Sequence, residues 1–290
     1  MDLPFGVLAV FAGLIIWAGL LIQGFRSGRF SAFLIFGLGL MLFLNVRYLV
    51  EGSTAGIAFF IGIYDVLINI GLGDTVPEAM MPCEGNACTV WGDRFAAHPA
   101  WGVAFYERFA NGPEFRSWLL YGHIAFNSIA FILLHIQLMR PAGAPGGGNH
   151  RLIGRVSFAA MMLSLICAVW LASQHGSVDE YGGAWSTWGF YSMAAVVFGC
   201  AVMGVAAIRA KDRARHRVWM FRYAGSMWGS FWLFRVMLFV IDPILRDVES
   251  AAILWCIWMS APLGVLLGEM VRRWIDAKAS APKDAVLART

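Results

Sequence analysis

The sequence predicts an all-α protein: a polytopic transmembrane helix bundle of about eight helices, with seven as the alternative. Three observations predict it. Of the 290 residues, 59% are hydrophobic and only 14% charged, against roughly 25% charge in soluble domains. Apolar runs of about bilayer length recur along the chain, and a run buried in lipid must close its backbone hydrogen bonds internally, as a helix does. Lys and Arg gather in alternate breaks between those runs, as in a chain that threads a membrane. The net charge of +4 therefore reports topology and gives no reason to expect nucleic acid as a partner.

The runs fall at residues 5–24, 31–50, 55–72, 117–139, 156–174, 186–208, 218–241 and 251–271. The first reads as a retained membrane helix and not a cleavable signal, because Arg26 and Arg29 follow it and no Lys or Arg precedes it. Residues 1–54 are then an N-terminal helix pair, 55–275 the bundle core, and 276–290 a polar, disordered cytoplasmic tail. The break at 73–116 carries Pro77, Pro82, Pro99 and Pro113 and has the length of a functional loop or lid. The break at 140–155 is Gly-rich and then basic. No internal repeat is visible.

Orientation follows from charge. The breaks at 140–155 and 209–217, Arg222 and the tail from Arg272 hold 14 of the 22 Lys and Arg residues. They alternate with acidic breaks at 73–116, 175–185 and 242–250. The chain is thus expected in the cell's inner (plasma) membrane, C-terminus cytoplasmic, with loop 73–116 outside and anionic lipid headgroups against the basic ends. If 55–72 spans, there are eight helices and the N-terminus is inside; if not, there are seven and it is outside. Charge barely separates the two, and the 18 residues from Ala55 to Leu72 suffice to cross. Trp118, Trp185, Trp188, Trp255 and Trp258 lie near one set of ends, Trp219 and Trp274 near the other, as interfacial belts do.

Of five Cys, Cys167, Cys200 and Cys256 lie in apolar runs and read as packing residues. Cys83 and Cys88 lie in the long loop and could form a disulfide if that loop meets an oxidising compartment. No second Cys pair accompanies them and no His lies within a few residues of either, so no metal site is expected.

The residues that could carry chemistry sit inside apolar runs. Beyond Arg222 at its start, the seventh run holds one cation, Arg235; a charge at that depth costs several kcal/mol and must face a partner or a wet cavity. Asp65, which shares a face with Asn69, and Asp242, on the face of Arg235, are its expected partners. In the fourth run, Asn127 and Gln137 each lie about 40° from His123 around a helix. These three make one polar stripe, which either forms interhelical hydrogen bonds or lines a polar cavity. His135 falls about 120° away. Ser157, Ser164 and His175 share a face of the fifth helix within about 20°. At the inner ends, His150, Arg151 and Arg155 precede one helix, and His216, Arg217 and Arg222 precede and open another. Helix N-termini favour anions, so a shared anion site is expected if the two starts are neighbours, with lipid headgroup binding as the plainer reading.

The strings GHIAFNSIAFILLHIQLM, NHRLIGRVSF and HRVWMFRYAGSMWGSFWLFRVM, over roughly residues 55–245, resemble an uncharacterised multispanning family, domain of unknown function 2306. The resemblance rests on His123, Gln137, His150, Arg151, Gly154, Arg155, His216, Arg217, Trp219, Met220, Arg222 and Arg235. It implies the bundle fold and brings no activity with it.

Three functions are compatible with these residues. One is a redox protein holding b-type haem or a quinone at His123, His175, Asn127, Gln137, Arg235 and Asp65. Against haem, His123 and His175 differ in depth by about 7 to 9 Å at 1.5 Å per residue. The second is a transporter or channel for a small anionic or amphipathic solute; the lack of repeats or mid-membrane helix breaks counts against it. The third is a structural or assembly subunit that docks a protein partner on loop 73–116 through Trp91, Trp101, Phe105 and Tyr106.

Overall fold

The computed structural model describes residues 5–53, 70–71, 109, 113–140, 147–173, 183–238 and 250–280. Among them stand seven long helices and no strand. They are α1 Phe5–Ser27, α2 Ser31–Val46, α3 Glu114–Leu138, α4 Gly148–Ser173, α5 Gly183–Arg209, α6 Arg213–Trp228 and α7 Ser250–Ser280. Two of them run on through a π turn: α2 through Arg47–Glu51, and α6 through Gly229–Leu233 into Phe234–Val236. Five helical stretches are long and apolar enough to cross a membrane: Ser31–Glu51, Glu114–Leu138, Gly148–Ser173, Ala184–Arg209 and Leu254–Lys278. Their outer faces are apolar; Ile35, Leu152, Ile166 and Leu266 are each more than half exposed. This is a membrane bundle. The seven described helices fit the expected range, and segment 55–72, which separates eight from seven, lies outside the described residues except for Ile70 and Gly71.

Most of the described basic residues collect at one end of the bundle, Arg47, Arg116 and Arg235 lying away from it. There Lys278 donates to the Arg26 carbonyl at 2.9 Å, and Trp274 meets Phe25 and Phe30 edge-on at 5.3 and 5.5 Å. Arg217 of α6 reaches Asp276 of α7, and Gln137 of α3 pairs with His150 of α4. So α1, α3, α5 and α7 end at this basic end, while α2, α4 and α6 begin there. Asp212 starts α6 as its N-cap, accepting from the Arg215 amide at 2.9 Å, which satisfies one of the helix's orphan donors. Lys211 just before it takes φ 63°, the left-handed conformation that reverses the chain after α5.

Packing must hold such a bundle together, because lipid is as apolar as a leucine side chain. The tightest contact joins α6 to α7. Gly225-x-x-x-Gly229 faces Gly264-x-x-x-Gly268, and the two backbones touch. A Cβ on Gly225 would collide with the Gly264 carbonyl oxygen, and one on Gly229 with that of Ser260. On its other side α6 meets the N-terminal pair through rings. Trp17 lies 5.0 Å from Phe33, 5.4 Å from Trp228 and 4.6 Å from Trp232, centroid to centroid. Gly37 leaves the room these rings need: a methyl there would strike Trp228 and Trp17. Phe131 and His135 of α3 complete the cluster against Trp228. α6 is therefore the central helix.

Candidate intramembrane binding site

Toward the end opposite the basic one, the helices enclose a cavity of about 260 Å³. Five helical elements line it. Asn45 and Tyr48 come from α2 and its π turn, His123 and Asn127 from α3, Ser164 from α4, and Ser230 and Arg235 from the end of α6. Ile124, Met161, Phe190, Val197, Phe231 and Phe234 are among the apolar residues that make its walls. α5 contributes only apolar residues. An apolar hollow with a few convergent polar groups is the usual form of a small-molecule site.

Hydrogen bonds hold several of these polar groups in place. His123 Nδ1 lies 3.1 Å from the Ser164 carbonyl oxygen and 3.0 Å from Ser164 Oγ, and Ser164 Oγ donates to the His123 carbonyl at 3.2 Å. This two-way link ties α3 to α4. Asn45 Nδ2 donates to Ser128 Oγ at 2.8 Å, tying α2 to α3. Arg235 donates to the Phe231 carbonyl at 3.0 Å, and its guanidinium lies 3.8 Å from the Phe231 ring centroid, a cation–π contact. The π turns bear on the site directly. Tyr48 sits in one; Ser230 and Phe231 sit in the other. A π turn widens the helix and shifts the side chains that follow, and such turns recur at functional sites. They are the local departures from α geometry that hydropathy does not register.

The expected stripe on α3 is divided. His123 and Asn127 line the cavity, whereas Gln137 lies at the basic end, where its Nε2 donates to the His150 carbonyl at 2.9 Å and its Oε1 meets His150 Nδ1. His135 packs in the core, its Nδ1 2.7 Å from the Phe131 carbonyl. Arg235 reaches the same cavity as His123. Asp65, Asn69, Cys83, Cys88, His175, Asp242 and the aromatic residues of loop 73–116 from Trp91 to Tyr106 lie outside the described residues. Asn45, Tyr48 and Ser230 were not expected in the site. The signal for Asn45 was a lone amide inside the second apolar run; nothing local marks the other two.

At the basic end, carboxylates of α7 meet part of the expected anion cluster. Arg217 reaches Asp276 at 2.6 Å and Arg222 reaches Glu269 at 3.3 Å. Glu269 also accepts from Arg272 at 2.6 Å and Arg273 at 2.9 Å. Arg222 stacks on Trp219 at 4.7 Å. His216 Nδ1 sits 2.8 Å from the Gly204 carbonyl. Arg151 and Arg155 are exposed.

The fold and cavity define a multispanning membrane protein with a polar site inside an apolar bundle. A family model described as "Predicted membrane protein (DUF2306)" matches residues 120–271, and the chain belongs to that family. The match starts and ends later than the resemblance at residues 55–245. It takes in α3 through most of α7, so His123, Asn127, Ser164, Ser230 and Arg235 fall within it, whereas Asn45 and Tyr48 come from the helix pair before it. Comparison with curated proteins and with solved structures finds no match.

Proposed function

We propose that the cavity binds the polar head of a lipophilic, quinone-class molecule, in the inner (plasma) membrane with the basic end toward the cytoplasm. One observation carries this reading: His123, Asn127, Tyr48 and Arg235, from three different helices, converge on one apolar hollow. A ring with oxygens at its edges matches such a lining. Its apolar faces suit the Phe, Met and Val walls, and its oxygens suit the imidazole, amide and guanidinium. The volume of about 260 Å³ falls just below the roughly 300–1,000 Å³ of drug-sized sites, which suits a head group smaller than such a ligand. A bis-histidine b-type haem would need a second axial imidazole beside His123; among the described residues His123 is the one histidine that lines the cavity.

The test is lipid extraction of the purified protein with mass spectrometry, together with calorimetric titration of a short-chain benzoquinone. Saturable binding that weakens at least tenfold in Arg235→Gln is expected. A quinone-free extract with no titratable binding would refute the proposal. A visible spectrum of the same sample decides on haem, through a Soret band or its absence.

Passage of a small anionic or amphipathic solute is the second reading. It rests on the π turns at Arg47–Glu51 and Gly229–Leu233, both of which contribute to the cavity lining. Flux into proteoliposomes that is unchanged in Arg235→Gln would remove Arg235 from any such path.

A further inference from the structure

The hydrogen bonds around His123 specify more than a quinone-class head. Its Nδ1 has two neighbours, both on Ser164: the carbonyl oxygen at 3.1 Å and Oγ at 3.0 Å. A carbonyl oxygen can only accept. The contact to the Ser164 carbonyl therefore requires a proton on Nδ1, and the rotatable Ser164 hydroxyl, meeting an N–H at 3.0 Å, then turns its hydrogen to the His123 carbonyl at 3.2 Å. In a neutral imidazole the other nitrogen is then bare and accepts. Since His123 lines the cavity, Nε2 is the ring nitrogen left for an occupant. Arg235, lining the same cavity, is donor-only. His123 Nε2 and the Arg235 guanidinium are thus the lining groups of fixed polarity, one an acceptor and the other a donor, while Asn127 and Tyr48 of the same lining can do either.

Resting on the quinone-class reading above, we infer that the site selects the reduced, hydroxyl-bearing quinol over the quinone. A quinone oxygen has no hydrogen, so opposite Nε2 it would set two lone pairs against each other in an apolar surround. A quinol hydroxyl donates to Nε2, while its second oxygen accepts from Arg235. A site built to bond a hydroxyl rejects the analogue that lacks it, because its own buried polar group is then unpaired.

The experiment is calorimetric titration, in oxygen-free buffer, of the full-length detergent-solubilised protein with a short-chain benzoquinol and separately with its quinone. Quinol binding at least about tenfold tighter is expected, equivalent to one hydrogen bond of about 1.4 kcal/mol. His123→Gln, whose amide can donate or accept, should bring the two affinities within about threefold of each other while keeping the fold; His123→Phe should do the same by removing the acceptor. Equal or tighter binding of the quinone to the native protein overturns the inference and leaves the quinone-class reading standing. So does a quinol preference that survives in both variants. Binding of neither compound overturns both.

Discussion

The contact between α6 and α7 sets two nearly identical substitutions against each other. Gly225 and Gly199 both lie in helices, and in each case alanine adds one methyl. At Gly199 that methyl meets nothing within 4 Å. Alanine there should stabilise by about 0.5–1 kcal/mol, the conformational freedom that glycine gives up in a helix. At Gly225 the methyl runs into the Gly264 carbonyl oxygen and lies 3.0 Å from the Gly268 Cα. Overpacking costs about 1–3 kcal/mol, and backbone has no rotamer by which to yield, so the upper end applies. Less the helix gain of up to about 1 kcal/mol, the net cost is about 2 kcal/mol, or roughly 30-fold in the folding equilibrium. Gly264→Ala attacks the same contact and should cost a similar amount, with the double variant less than additive because both methyls force the same separation. Thermal unfolding of the detergent-solubilised protein, followed by tryptophan fluorescence, measures it. Gly225→Ala should lower the midpoint by about 4–8 °C while Gly199→Ala holds or raises it. Equal midpoints for the two variants would refute the close approach of α6 and α7.

Further outcomes follow from the same structure. Glu269→Gln removes the charge that gathers Arg222, Arg272 and Arg273. It should destabilise by about 1–3 kcal/mol, mostly through the half-buried Arg222 and Arg272, with the gap to the native protein narrowing as salt screens the residual repulsion; no loss at low salt would contradict this. Asn45→Ala leaves Ser128 with its bond to the Ile124 carbonyl, so the loss should stay near the membrane average of about 0.6 kcal/mol; a cost above about 2 kcal/mol in the same unfolding assay would show that Asn45 does more. Arg26 and Lys278 meet at one end of the bundle, so cysteines introduced at Gly28 and at Ala277 should be labelled from the same side of sealed vesicles. Labelling from opposite sides would refute the placement of α1.

Much of the architecture is local information. Apolar run lengths, the gathering of Lys and Arg in alternate breaks and the 3.6-residue period are readable without a partner in view, and they specify a membrane bundle with one basic end. The shared face of His123 and Asn127 is local too, because four residues make little more than one helical turn. Gln137 shows the limit of that reasoning. It lies at nearly the same angle as His123, but 14 residues carry it about 21 Å along the axis, out of the cavity and onto His150. Angle was legible; depth relative to a neighbouring helix was not.

What only the tertiary structure decided is which helices touch. The glycines at 225, 229, 264 and 268 stand in plain view in the sequence, but their spacing says only that each helix has a smooth face. That Gly225 meets Gly264 depends on the docking of α6 against α7. The same docking brings Glu269 and Asp276 to Arg222 and Arg217, so that fixed carboxylates of the chain itself sit beside part of the basic cluster. The helix pair ahead of the family match closes on α6 through Trp17 and Trp228. In doing so it brings Asn45 and Tyr48 into the cavity that also holds His123 and Arg235. Side-chain chemistry and helical period are properties of a segment. A cavity is a property of the gaps between segments, and those gaps exist only once packing has chosen the neighbours.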